Sequence, residues 1–166
     1  HTRIACITGP PDQTASKARF EGYRSAMSGA GLPIDRNTIE AGDFTQPGGH
    51  TAMRAIIDSG RAPSAVFVCN DVMAFGAMRA LREAGLAIPA DVSVVGFDGI
   101  AMAEYVDPPL ATVNQPIQEL GRMAVQILIE QMSGEGGPAH CVLPVQYRPS
   151  NSVGPPRTRA EAINRG

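Results

Sequence analysis

Polar side chains follow four of the apolar runs that the sequence presents as strands. The first run ends at Thr8-Gly9-Pro10, and three later runs are followed by Asp43-Phe44, Asn70-Asp71 and Asp98-Gly99. In an open parallel sheet the carboxyl ends of the strands meet at one edge, where such folds bind ligands. Amides and carboxylates exchange hydrogen bonds with hydroxyl groups, whereas a phosphate needs backbone N–H groups and cations. The pattern therefore predicts a site for a hydroxylated small molecule.

Each of these residues also has a simpler interpretation. One of Asn70 and Asp71 is expected to be the N-cap of the following helix, which leaves the other available to a ligand. Asp98 is also a turn former. Phe44 is either a core residue or a platform for a sugar or base ring, and Arg19 is either a surface residue or a clamp for an anionic or hydroxylated ligand.

Alternating strand and helix patterns must position these residues. The strands are nearly continuous apolar runs, as expected where both faces of a parallel sheet are covered. The order β-α-β-α-β-α-β predicts an α/β fold, a doubly wound parallel sheet with helices on both faces. The predicted strands include residues 3–8, 65–69 and 92–97, and the predicted helices cover residues 14–28, 49–59, 71–84 and 116–132.

Composition excludes several classes of protein. The 166 residues are about one domain's worth, and 43% of them are hydrophobic. The net charge of −2 argues against a chain that grips nucleic acid by itself, because such a chain needs a basic face. Only residues 157–166 are locally basic, and we expect this tail to be disordered. No run is long enough to span a membrane, and no signal peptide is visible.

Reactive side chains do not form a catalytic or metal-binding pattern. Cys6, Cys69 and Cys141 lie in apolar runs and are expected to be buried thiols in a reducing compartment. The sequence has no CxxC and no HExxH, so we predict neither a metal site nor a cofactor. "GFDG" at residues 96–99 suggests an aspartyl nucleophile. Such a site needs further acidic or cationic groups on neighbouring strand ends, for which Asp71 is the best candidate, but other catalytic roles are unfilled. We therefore expect that the protein is not an enzyme.

Two long stretches carry a resemblance to a known family. They read AVFVCNDVMAFGAMRALREAGLAIPADVSVVGFDG and PPLATVNQPIQELGRMAVQILIEQM. With RIACITGP, ARFEGYRSAM and LPVQYRPS they make residues 1–156 resemble the LacI/GalR family of transcriptional repressors. The resemblance implies a periplasmic-binding-protein-like (type I) effector domain of two lobes. In such repressors a sugar or nucleoside effector binds between the lobes and changes the affinity of a DNA-binding domain, absent from this chain, for operator DNA.

The same resemblance implies roles for individual residues. Arg19 in ARFEGY matches a ligand-binding arginine, Asn70 an effector-binding asparagine, and Asp98 in VVGFD the aspartate that holds sugar hydroxyls. Phe44 matches an aromatic that packs on the ligand ring in some members, and Gln115 matches a residue beside the cleft.

The family also implies a cytoplasmic homodimer. The helix that starts at Asp71 resembles the one that packs against its twin, with Val72, Phe75 and Met78 as candidate contacts. At helical spacing these three side chains are equally well placed to face the domain's own core.

The resemblance divides the chain between two lobes. Residues 1–111 and 140–156 correspond to the second lobe, and residues 112–133 to a crossing segment and helix of the first. Most of the first lobe is missing, so we expect the apolar stripe of the crossing helix to lack its usual cover and to favour self-association. The stripe comprises Ile117, Leu120, Ala124, Ile127, Leu128 and Met132.

The alternative to a repressor is the sugar-binding protein of an ABC transport system, which shares the fold. The motif IPADVSVVGFD favours the repressor.

Overall fold

A single six-stranded sheet organises the computed structural model, which describes residues 1–61, 63–134 and 140–156. The strands are β1 (Ile4–Thr8), β2 (Ile39–Ala41), β3 (Ala65–Val68), β4 (Ser93–Asp98), β5 (Ala111–Asn114) and β6 (Gln146–Arg148). The α-helices are α1 (Thr14–Gly29), α2 (Gln46–Asp58), α3 (Asp71–Glu83) and α4 (Ile117–Met132), and short 3-10 helices cover Arg36–Thr38 and Ala101–Glu104.

The strand order is β2-β1-β3-β4-β5-β6, and β1 to β5 are parallel. This arrangement confirms the predicted α/β fold. β6 is antiparallel to β5, a direction that the sequence pattern did not predict. Pairing of β5 with β4 extends to Asn114, so residues 112–114, assigned above to the crossing segment, belong to this sheet.

Helices cover both faces of the sheet near β4. Neighbouring strand residues point to opposite faces. Arg19 of α1 lies over the Phe97 ring, whereas Asp71 of α3 lies beside Gly96. α1 and α3 therefore pack on opposite faces, as a doubly wound fold requires.

Glycines allow α2 and α3 to pack at close range. A Cβ at Gly49 would lie 2.1 Å from the Met73 carbonyl oxygen, and one at Gly76 would lie 2.0 Å from the Gln46 carbonyl oxygen. Behind this contact lies the core, where Ile56 and Leu81 are fully buried. Burial of that kind stabilises by about 1.5–3 kcal/mol per large apolar side chain.

The burial of residues in α3 contradicts one of the three predicted dimer contacts. Met78 is fully buried in the core, so its candidacy as a dimer contact is wrong. Val72 is partly buried, and Phe75 packs partly buried against the same core. α3 packs against the sheet and against its neighbour α2, which leaves Arg79 and Arg82 on its exposed side.

The helix α4 contrasts with the other three, because none of its residues is buried. Val125, Leu128 and Ile129 are each more than half exposed, and Met132 is 79% exposed. The apolar stripe predicted from the sequence therefore lies largely on the surface of the described part of the chain.

The thiols differ in their surroundings. Cys6 and Cys69 are buried, as predicted, but Cys141 is exposed, so the prediction for Cys141 is wrong. Cys141 lies in an irregular segment before β6, beside Met123 of α4, and the described part of the chain does not bury it. The basic tail at residues 157–166 lies outside the described residues. Among the helices described, none combines the length and hydropathy of a membrane span.

Candidate functional site

The carboxyl ends of the parallel strands form one edge of the sheet. β1 pairs with β3 up to Ile7 and Val68, and β3 pairs with β4 up to Phe67 and Val95. Their successors along each strand therefore emerge side by side. Polar residues that the sequence separates widely meet here, as the strand-end pattern predicts.

Arg19 reaches this edge from the second turn of α1. Its Nη1 donates a hydrogen bond to the Cys69 carbonyl, and its Nη2 lies 3.1 Å from Asp98 Oδ1. The guanidinium carbon lies 4.2 Å from the centroid of the Phe97 ring, a cation–π contact. Planar geometry and several donors let one arginine make all three contacts, and its side chain is only 15% exposed.

Asp98 ends β4 in an unusual backbone conformation, with φ of +125°. Its Oδ1 accepts hydrogen bonds from Gln115 Nε2 at 2.7 Å and pairs with Arg19. Burial raises the pKa of the Asp98 carboxyl above its ordinary value, although Arg19 and Gln115 act in the opposite direction. None of the hydrogen bonds seen among the described residues uses Oδ2, so this oxygen can accept a hydroxyl from a ligand.

Gln115 follows β5 directly. Its backbone N–H donates to the Asp98 carbonyl at 3.1 Å, while its side chain holds Asp98 Oδ1. Two hydrogen bonds thus fix Gln115 against the end of β4. Gln115 lies there because β5 pairs in parallel with β4 up to Asn114.

Asn70 is the N-cap of α3, one of the two interpretations of the pair that it forms with Asp71. Its Oδ1 accepts from the Met73 N–H at 2.8 Å, and its Nδ2 donates to the Phe44 carbonyl at 3.2 Å. With Asn70 as the cap, the pattern leaves Asp71 as the residue available to a ligand, and this consequence is wrong. Its carboxylate is fully buried and accepts hydrogen bonds from Gly99, Ile100 and Thr112.

Phe44 lies in the loop after β2 with φ of +66° and covers Gly9. A Cβ at Gly9 would lie 2.2 Å from a Phe44 ring atom, so only glycine admits the ring there. The Phe44 N–H contacts Met73 Sδ at 3.3 Å, and the ring is partly buried against the core. The preceding Asp43 is exposed and binds Thr45 at the start of α2, so it serves the local turn.

The structure therefore brings together the residues named from the resemblance. Arg19 and Gln115 both bind Asp98, and Asn70 joins them because Arg19 binds the carbonyl of the preceding Cys69. Phe44 joins through its carbonyl. Their binding of a ligand remains a prediction.

Two contributors were not found from the sequence. Phe97 supports the Arg19 guanidinium, and the only available signal was its place next to Asp98 on an apolar strand. Thr112 binds the buried Asp71 carboxylate, and nothing in the sequence distinguishes it from any other strand threonine.

An apolar groove of about 610 Å³ starts beside Arg19 and runs between α1 and the sheet. Tyr23, Met27, Phe67 and Val113 are among the residues along it. Its walls are mainly hydrocarbon and offer few partners to sugar hydroxyls. Recognition of a hydroxylated ligand is therefore expected at the strand ends rather than in the groove.

Comparison with known proteins places this geometry in a family. Residues 1–151 match the model of the periplasmic binding protein-like domain. The chain belongs to this family. The ribose operon repressor of Escherichia coli (strain K12) is 47% identical over 133 residues, which are 80% of this chain and 40% of the repressor. The chain thus spans about two fifths of the length of this curated relative.

Solved structures agree with that membership. A transcriptional regulator CelR–cellobiose complex superposes with a TM-score of 0.88 at 39% identity, covering 92% of this chain and 47% of the other. The lac repressor dimer bound to operator and the anti-inducer ONPF gives 0.88 at 30% identity, covering 92% and 53%. The resemblance to LacI-type regulators is confirmed, and these relatives are named as transcriptional regulators or repressors rather than as enzymes.

Proposed function

We propose that this chain is the effector-sensing part of a LacI-type transcriptional repressor and binds a sugar or nucleoside at the strand ends. The observation that carries the proposal is the Asp98 carboxylate, held through Oδ1 by Arg19 and Gln115. Its Oδ2 is then available as an acceptor for ligand hydroxyls. Asn70 and the Phe44 ring complete a set that suits a ring bearing several hydroxyl groups.

The proposal extends to the organisation of the whole regulator. Residues 1–114 and 140–156 form the second lobe, and α4 belongs to the first lobe, whose remaining elements cover its apolar face. This assignment is supported by the exposure of α4 together with the greater length of the relatives. The effector binds between the lobes, and the arrangement of the lobes sets the affinity for operator DNA.

Operator binding belongs to a DNA-binding domain outside this chain, since the chain carries a net charge of −2. The regulator acts in the cytoplasm as a homodimer, with Val72 and Phe75 of α3 among its contacts. The dimeric lac repressor supports this proposal. A transport protein, the alternative considered above, is disfavoured because the ribose operon repressor and CelR, to which the chain is similar, are regulators.

A thermal-shift screen on the full-length regulator tests the function. D-ribose and cellobiose are the first probes because of the names of the relatives, and adenosine represents nucleosides. A probe present at about 100 times its Kd should add about 2.7 kcal/mol to the free energy of unfolding. Asp98→Ala should abolish that shift, whereas Asp58→Ala, a surface carboxylate at the end of α2, should retain it. An unchanged shift in both Asp98→Ala and Asn70→Ala would show that the proposed site is wrong.

A further inference from the structure

Asp71 is a fully buried carboxylate, so neither of its oxygens is open to a ligand. It occupies the first turn of α3, and its Oδ2 accepts hydrogen bonds from the N–H groups of Gly99 at 2.8 Å and Ile100 at 2.9 Å. Its Oδ1 accepts from Thr112 Oγ1 at 2.6 Å. One side chain thus ties α3 to the loop after β4 and to the middle of β5.

The surrounding backbone is shaped around this carboxylate. A Cβ at Gly96 would lie 2.2 Å from Asp71 Oδ1, so a larger residue there would displace the carboxylate. Gly99 has φ of +75°, and a Cβ on it would lie 2.2 Å from Asn114 Oδ1. The loop after β4 is therefore held closely against both α3 and the end of β5.

The loop that Asp71 holds directly follows Asp98, the residue proposed to bind the ligand. The φ of +125° at Asp98 is unfavourable for a residue with a side chain and persists only where neighbouring contacts enforce it. The hydrogen bonds of Asp71 to Gly99 and Ile100 fix the two peptide units that follow. The bond to Thr112 fixes β5 shortly before Gln115, the second partner of Asp98.

We propose that Asp71 is a positioning residue of the effector site, which holds Asp98 and Gln115 in register for ligand binding without touching the ligand. This inference rests on the proposed function of the Asp98 site. A purely structural carboxylate would lower stability when removed but would leave the affinity of the folded protein unchanged. A positioning residue lowers the affinity of the protein that remains folded.

The test compares variants of the full-length regulator by titration with whichever of D-ribose, cellobiose and adenosine gives the largest thermal shift. Asp71→Ala should raise Kd at least tenfold. Asp71→Asn should stay within threefold of the parent, because its oxygen accepts the two N–H bonds and its amide donates to the Thr112 hydroxyl. Met53→Ala, which truncates a fully buried core residue of α2, serves as a control for lost stability and should leave Kd within twofold.

Amide hydrogen exchange gives a readout that needs no ligand. The Gly99 and Ile100 amides should exchange at least tenfold faster in Asp71→Ala than in Met53→Ala. Thr112→Val removes a single bond and supplies a milder variant if Asp71→Ala does not fold; it should raise Kd at least threefold. Unchanged exchange, or an unchanged Kd in whichever of these two variants folds, would overturn the inference.

The same titration separates the two proposals. If Asp98→Ala also binds the probe with unchanged Kd, the proposed site itself is wrong. If Asp98→Ala loses binding while Asp71→Ala keeps it, the site stands and only the positioning role of Asp71 fails.

Discussion

Arg19 and Asp98 form an ion pair of 3.1 Å although they come from different elements, α1 and the end of β4. Their side chains are 15% and 21% exposed, so both charges have lost much of their hydration. The raised pKa of Asp98 shows that burial outweighs the attraction of Arg19. The ionised carboxylate is therefore kept at some expense of stability, as expected where a binding site is preserved for function.

Replacement of Asp98 by asparagine should separate stability from binding. Both described partners use Oδ1, which the amide oxygen of asparagine replaces, and asparagine tolerates positive φ better than most residues. We expect Asp98→Asn to leave the free energy of unfolding at neutral pH unchanged or higher, while ligand binding is lost. Urea denaturation together with thermal shift measures both quantities. A loss of stability greater than about 1 kcal/mol would contradict this expectation.

The Asp98 carboxyl should also make the stability of the protein depend on pH. Its folded pKa lies above the ordinary value of 3.8, so the folded state holds this proton more tightly than the unfolded state. The stability from this group is fully present below the unfolded pKa and is lost as pH rises through the folded pKa. The stability of the parent minus that of Asp98→Asn should therefore fall with rising pH above 3.8. Parallel pH profiles for the two proteins would contradict the raised pKa.

The pH dependence of ligand binding should run in the opposite direction. Only the ionised Asp98 carboxylate accepts hydroxyl hydrogen bonds through both oxygens, so affinity should weaken as pH falls through its raised pKa. Titration calorimetry with the ligand found in the thermal-shift screen, from neutral pH down to the ordinary carboxyl pKa, checks this. An affinity that is constant over that range would place the relevant pKa at or below the ordinary value.

Two substitutions at Asn70 separate the hydrogen bond that caps α3 from the one to the Phe44 carbonyl. Asn70→Asp keeps the acceptor for the Met73 N–H but loses the donor to the Phe44 carbonyl, whereas Asn70→Ala loses both. We expect Asn70→Ala to lower the free energy of unfolding by about 0.5–2 kcal/mol and Asn70→Asp by less. Chemical denaturation measures the difference, and ligand binding should be weakened in both. Equal stability of the two variants would show that the cap contributes little.

Two glycine-to-alanine substitutions should change the stability of the protein in opposite directions. Alanine favours a helix interior over glycine by up to about 1 kcal/mol, so Gly22→Ala in α1, where a Cβ meets nothing within 4 Å, should stabilise this chain. Gly76→Ala should destabilise it, because the new Cβ would lie 2.0 Å from the Gln46 carbonyl and overpacking typically costs about 1–3 kcal/mol. Thermal unfolding of the two variants measures the direction of both changes in stability. Stabilisation by Gly76→Ala would mean that α2 and α3 can separate without loss.

The uncovered face of α4 should make the 166-residue chain self-associate. Val125 and Ile129 are each 58% exposed, and large contiguous apolar patches of this kind are rare on monomers. Size-exclusion chromatography with light scattering should show association that rises with concentration and is reduced by Val125→Glu with Ile129→Glu. Gln126→Glu, which adds a charge to an exposed position on the polar side of the same helix, is the control. A monomer at all concentrations would contradict the prediction.

The hydrophobic periodicity and the polar residues at the strand ends could be recognised in the sequence because both are local properties of the chain. Apolar runs closed by polar pairs predicted the parallel strands, and parallel strands necessarily bring their carboxyl ends to one edge. That is why Phe44, Asn70 and Asp98 could be named from the strand ends. Arg19 was named from the helix that follows the first strand, and Gln115 was added by the resemblance. The interpretation of Asn70 as a cap was also available, since a polar residue before a helix commonly takes that role.

The sequence alone thus determined the succession of strands and helices and the edge at which polar groups collect. Only the tertiary structure decided that Asp71 is buried beneath the site, that Met78 belongs to the core, that Cys141 is exposed and that β6 runs antiparallel to β5. These outcomes depend on which distant segments cover a side chain, such as Thr112 over Asp71. Periodicity along one element carries no information about the partner that another element supplies.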